Sequence, residues 1–138
     1  MALAAAALVT VIGLGVMAVA RVEGESARLQ AEVHDARYAA RGGLELALRA
    51  LSQMSDWRTD ATTGAWSNTV SVNGARWRWR LDDVDDGVLG AGSDRNVWLT
   101  CWAESGRASR TLRVQLDTDD GGAPLVRAGS FRGSPATP

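Results

Sequence analysis

Five aspartates crowd one Asp- and Gly-rich stretch, DDVDDGVLGAGSDRN (82–96): Asp82, Asp83, Asp85, Asp86 and Asp94. Carboxylate oxygens are hard ligands, and several in one loop can hold Ca²⁺. The competing reading is a solvated Asp-Gly turn. Cys101 is the lone cysteine, so no disulfide can form within the chain. A catalytic thiol needs a base beside it, and the lone histidine, His34, falls on a different element. Cys101 therefore reads as a small core residue in a strand. No Ser-His-Asp spacing, Cys-x-x-Cys, phosphate loop or dinucleotide fingerprint occurs, and the glycines of 87–92 precede no helix. No enzyme is expected, and no cofactor beyond that Ca²⁺.

A second constellation is aromatic and basic. Trp77, Trp79 and Leu81 alternate with Arg76, Arg78 and Arg80. Alternate side chains of a strand point to opposite faces, so one face is Trp-Trp-Leu and the other three arginines. If Val97, Leu99, Cys101 and Ala103 face a core, Trp98 and Trp102 join Arg76, Arg78, Arg80 and Arg113 on the outer face. Indoles beside guanidinium groups favour cation–π stacking. Such a surface suits a subunit contact, a free stabilising ladder, or a ligand. The 15 basic and 16 acidic residues give a net charge of −1, so nucleic acid is not an expected partner.

The elements that must carry these residues follow from periodicity. The pair Asn73-Gly74 between Trp66–Val72 and Ala75–Leu81 is a hairpin signal. Val97–Ala103 and Arg110–Asp117 read as third and fourth strands, joined by a turn over Glu104–Ser109. Trp57–Gly64 reads as a polar loop. Upstream, Leu29, Val33, Ala36, Ala40, Leu44, Ala47 or Leu48, and Leu51 recur at three- and four-residue spacings, the stripe of an amphipathic helix. Charged residues occupy its other faces, and Glu45 and Arg49 sit at a favourable i, i+4 spacing.

Residues 1–20, MALAAAALVTVIGLGVMAVA, carry no charge. Twenty helical residues reach about 30 Å, one hydrocarbon thickness. A cleavable signal ending near Ala18-Val19-Ala20 is the rival reading, but it wants a basic region before the apolar run. Small residues in the run suit close helix packing. Gly13 and Gly15 each weaken the helix by about 1 kcal/mol, so a stretched or melted turn is expected there. No proline precedes Pro124, so one helix over about 2–54 is expected. At about 80 Å it must outrun its own domain, and its first half must be covered by lipid or by copies of itself.

The expected fold class is α+β: a long N-terminal helix with an apolar first half, and a four-stranded antiparallel sheet packed on its second half. The expected divisions are an apolar helix (1–20), an amphipathic extension (21–54), a sheet domain (55–117) and a Gly/Pro-rich tail (118–138). The tail has no period. It is expected to be disordered or extended, lying along a neighbouring subunit when ordered.

This order of elements resembles the type IV pilin superfamily, in the manner of its PilX-like minor pilins and GspK-like pseudopilins. RYAARGGLELALRAL (37–51) is similar to a motif that follows the membrane helix in that group. VWLTCWAESGRASRTLRVQLD (97–117) resembles its closing hairpin. The resemblance implies a structural subunit of an extracellular filament, held in the inner membrane before assembly. It implies identical subunits and an assembly machinery as partners. It also implies a leader removed before Met1 and a methylated new terminus. The implied assembly core is Met1, Leu3, Ala5, Leu8, Ile12, Gly13, Gly15 and Val16. Members of the family usually carry glutamate where this chain has Ala5. That departure fits a minor or tip subunit, or a pseudopilin priming a pilus or type II secretion assembly. A reading from another class is a single-pass membrane-anchored binding domain that does not polymerise.

Overall fold

In the computed structural model the described residues are 2–85, 87–89, 96–118 and 122–135. Side chains are described from Met17 onward, Thr118 and Pro135 apart. One helix, α1 (Ala2–Ser52), takes up 51 residues, about 77 Å by rise per residue. Its backbone stays α-helical through Gly13 and Gly15, so the stretched or melted turn expected there is absent. Unbroken i→i−4 hydrogen bonding outweighs the intrinsic cost of two glycines. The helix ends by tightening: the Gln53 and Met54 amides donate to Ala50 and Leu51 carbonyls three residues back.

A one-turn helix, α2 (Trp57–Asp60), follows where a polar loop was expected. Asp56 caps it, accepting from the Arg58 amide at 3.1 Å and the Thr59 hydroxyl at 2.6 Å. The Thr59 hydroxyl, with the Arg58 and Thr59 amides, holds the Asp56 carboxyl below its usual range despite some desolvation. The cap turns Trp57 inward, and its side chain is fully buried. Trp57 is thus core rather than loop.

Six strands make the sheet: β1 (Val70–Val72), β2 (Ala75–Asp83), β3 (Val97–Ser105), β4 (Ala108–Thr118), β5 (Pro124–Val126) and β6 (Arg132–Pro135). All pairings between these strands are antiparallel. The order is β1-β2-β3-β4-β5, with β6 also on β4. Asn73 (φ 51°) and Gly74 (φ 83°) both take positive φ, as a type I′ hairpin demands. The β3–β4 turn is shorter than expected, only Gly106-Arg107 between paired Ser105 and Ala108, with Gly106 at φ 56°.

Two expectations about the sheet need correction. Among the described residues it has six strands rather than four, and the described part of the tail joins it instead of lying outside it. β5 pairs Leu116–Thr118, and β6 pairs Arg110–Arg113 of the same chain. The Ser130 hydroxyl locks the crossing between them, donating to the Arg127 carbonyl (2.7 Å) and accepting from the Gln115 amide (3.0 Å). Without that tail, β4 would present a free edge. Satisfying its backbone groups outweighs the weak strand propensity of a Gly- and Pro-rich segment.

The core lies between α1 and the inner face of the sheet. Ala36, Ala40, Leu44, Ala47 and Leu51 of the expected stripe are buried. Ala40, Leu44, Ala47 and Leu51 meet Trp77, Leu81, Val97, Leu99, Cys101, Leu112, Val114 and Leu116. Each large side chain so buried contributes about 1.5–3 kcal/mol. From the loop after β2, Leu89 also tucks in, its amide donating to Thr63 Oγ1 at 3.3 Å. Helix and sheet touch most closely at Gly43. A Cβ there would stand 2.7 Å from Trp77 Cε3 and 2.8 Å from Cys101 Sγ. Neighbouring Gly42 has nothing within 4 Å of such an atom.

The two glycines therefore respond oppositely to alanine. Gly43→Ala gains helix propensity but forces ring and backbone apart, for a net loss of about 1–3 kcal/mol. Gly42→Ala leaves the core alone and stabilises by up to about 1 kcal/mol. Chemical denaturation of both variants checks the pair; equal effects would contradict the close approach.

Candidate functional site

What covers α1 changes along its length. From Ala36 to Leu51 the sheet covers its inner stripe. Before Glu32 no described side chain of α1 is buried. Val22 is 67% exposed and Leu29 44% exposed, although both belong to the apolar side of the helix. Met17 and Val19 are exposed as well. Leu29 was expected in the core stripe and is not in it, because the sheet does not reach that far. Residues 17–31 alone span about 22 Å. The expected assembly-core residues Leu3, Ala5, Leu8, Ile12, Gly13, Gly15 and Val16 lie on this helix by backbone. Their side chains, and Met1 altogether, lie outside the described residues.

Glu32 marks where the cover begins. Its carboxylate accepts from the Arg107 amide at 2.9 Å and from Arg28 Nε at 3.0 Å. It sits against Gly106, where a Cβ would run into the Glu32 carboxyl group. A glycine in the β3–β4 turn thus serves both the positive φ and the approach of α1. The Arg107 amide, then the Arg28 guanidinium, hold the Glu32 carboxyl below its usual value of 4.5, against partial desolvation.

The outer face of the sheet carries the expected aromatic and basic residues together. Arg78 lies over Trp102 at 4.9 Å and Arg113 over Trp98 at 5.1 Å, guanidinium carbon to ring centroid. Arg76 pairs with Glu104. Arg80 pairs with Asp82 at 3.1 Å. Trp66 was missed as part of this face. It lies at 4.7 Å from Arg78 and 4.8 Å from Arg80, so Arg78 is held between two indoles. Regular β1 pairing starts only at Val70, so strand alternation gave Trp66 no side. Ser67 is the better signal: its amide bonds the Trp79 carbonyl at 2.7 Å, and its hydroxyl accepts from the Trp79 amide at 3.0 Å. Arg78 Nε and Arg113 Nε are buried with no hydrogen-bond partner among the described residues.

The described aspartates of this stretch, Asp82, Asp83 and Asp85, do not gather into one site. Asp82 and Asp83 belong to β2, not to a loop, and point to opposite faces by alternation. Asp82 Oδ2 accepts from Arg80 and from Thr100 Oγ1, both at 3.1 Å. Asp83 Oδ1 accepts from the Asp85 amide at 2.8 Å, and Asp85 Oδ1 from Asn96 Nδ2 at 2.8 Å. Asp86 and Asp94 lie outside the described residues. Among the described residues no group of three or more acidic, His or Cys side chains is arranged to hold a metal ion.

Cys101 is buried against Gly43, and burial pushes its thiol up to about 12. It packs as an apolar group. His34 is on α1, its ring stacked on Tyr38 at 6.5 Å. On the helix surface Glu45 pairs with Arg41 at 3.5 Å rather than with Arg49.

No protein-family model matches the chain, and no curated protein or solved structure shows significant similarity to it. Among the described residues no helix is long and apolar enough to cross a membrane.

Two measurements follow from these contacts. Because Glu32 is depressed in the folded chain, its tether stabilises fully above its usual 4.5 and is lost as pH falls through the lowered folded value. Stability against pH should therefore show an acid-side loss that Glu32→Gln reduces, Asp56 supplying a further part; identical profiles would contradict the tether. A double-mutant cycle on Arg78→Met and Trp102→Leu should give a coupling of about 0.5–1 kcal/mol. No coupling would mean that the stack is only a neighbourly arrangement.

Proposed function

We propose that this chain is a structural subunit of an extracellular type IV pilus-like filament, polymerising through its N-terminal helix. One observation carries the reading. A helix of 51 residues outruns the sheet that covers it, and the exposed part keeps an apolar side. That side continues upstream into an uncharged run of twenty residues. Apolar area left in water costs about 25 cal/mol per Å², so it must be sheltered by lipid or by other helices. Lipid suits the stored subunit. In the filament, other helices replace lipid, and close packing at the Ala and Gly positions supplies the gain.

The rest of the fold suits that role. The sheet domain sits at the far end of the helix and turns the Trp-Arg face outward as a coat. The RYAARGGLELALRAL segment, similar to the motif of minor pilins and pseudopilins, holds Gly43, which sets the distance between helix and coat. Ala5 favours a second reading within the same class, a minor or tip subunit that primes assembly. Without an acid at that position, the N-terminal amine of a neighbour lacks its usual counter-charge in an apolar core.

The test is electron microscopy of the extracellular fraction, with the parent chain beside Leu29→Asp. The parent is expected in long uniform fibres. Leu29→Asp, which places a charge where helices meet, should abolish them and leave melting of the sheet domain unchanged. Fibres of normal length from the variant would remove Leu29 from the packed interior. A parent chain that stays dispersed in membrane would favour the anchored binding domain.

A further inference from the structure

The sheet's two edges expose apolar residues beside opposite charges. On one edge, α1 and the β1–β2 hairpin enclose a groove of about 480 Å³. Tyr38 and Leu46 line its helix side, Val72 and Trp77 its hairpin side, and Asp35 stands in its wall. Tyr38, Leu46 and Val72 are exposed. Among the described residues β1 pairs only with β2, and no described strand lies beside its outer backbone edge. Edge strands are usually blunted by charge or proline. β1 is Val-Ser-Val and carries neither.

On the other edge, β5 presents exposed Leu125 and Val126, followed directly by exposed Arg127. Among the described residues β5 pairs only with β4. Neither Asp35 nor Arg127 has an ion-pair partner among the described residues. One edge thus offers an apolar groove with a carboxylate, and the opposite edge an apolar strand with a guanidinium.

We propose that β5 of one copy docks in the α1–β1 groove of the next, Leu125 and Val126 against its apolar walls and Arg127 beside Asp35. The inference rests on the filament reading and names a contact within it. The two surfaces differ and lie on opposite edges, so the contact is head-to-tail. Such a contact leaves a free groove and a free strand at the ends and propagates into an open helical array. Strand addition at a sheet edge supplies main-chain hydrogen bonds, while the groove fixes register.

The test is disulfide capture in the full-length chain carrying Val72→Cys and Leu125→Cys. Three strands separate these positions within one chain, at about 4.8 Å per strand step. That is beyond disulfide reach, so any link joins two copies. Cys101 is buried and takes no part. Both altered side chains are exposed, and an unchanged melting temperature confirms folding. Mild oxidation of the assembled double variant should give a ladder of dimers, trimers and higher species, while each single variant stays monomeric. Asp35→Arg or Arg127→Asp alone should cut capture several-fold, and the two together should restore it. A ladder that needs both cysteines and follows the charges supports the contact. Dimers from Val72→Cys alone, or fibres that never cross-link, overturn it and leave the filament reading standing. Absence of fibres from the parent chain overturns both.

Discussion

The helix backbone at Gly43 lies directly on the Trp77 ring and the Cys101 sulfur. That contact leaves no room for a side chain, and most of the architecture follows from it. A helix seated this close lets small residues, Ala36, Ala40 and Ala47, fill the interface beside buried Leu44 and Leu51. Trp77 and Leu81 then close over the helix from β2, and Leu99, Leu112 and Val114 from β3 and β4. The sheet is as long as its strands allow, and it stops at Glu32, where the β3–β4 turn meets α1. Upstream of it, the described side chains of residues 17–31 are exposed.

The two faces of the sheet do different work. The inner face is held by apolar burial, the large term in a small domain. The outer face gains little energy from its stacks and exposed ion pairs, which are worth at most about 1 kcal/mol each. Its value is geometric. Guanidinium groups over indoles bring four aromatic and basic pairs together on the half-buried outer face. A domain built this way tolerates water on its outside while its helix seeks an apolar environment. That division suits the coat and helical core of the proposed filament.

Much of this was legible in residue order. Continuous three- and four-residue spacing without proline placed α1 within two residues of its end. Asn73-Gly74 placed the first hairpin, and alternation in Ala75–Leu81 and Val97–Ala103 assigned both faces of the central strands. Tertiary competition decided the rest. The tail has no strand signal of its own, yet β4 had a free edge for it to satisfy. Trp57 looked like loop because its neighbours are polar, but Asp56 as a helix cap points it inward. Gly42 and Gly43 look alike as a pair, and only packing shows that one is required and the other is not. The aspartates of 82–96 looked like one loop, whereas β2 takes the first two and spends Asp82 on Arg80 and Thr100.

The central claim is that residues 17–31 exchange solvent for other copies of the same helix. Amide hydrogen exchange on the assembled and the dispersed full-length chain tests it directly. Assembly should raise protection across 17–31 to the level that the sheet already gives 36–51. Equal, rapid exchange of 17–31 in both states would contradict the account.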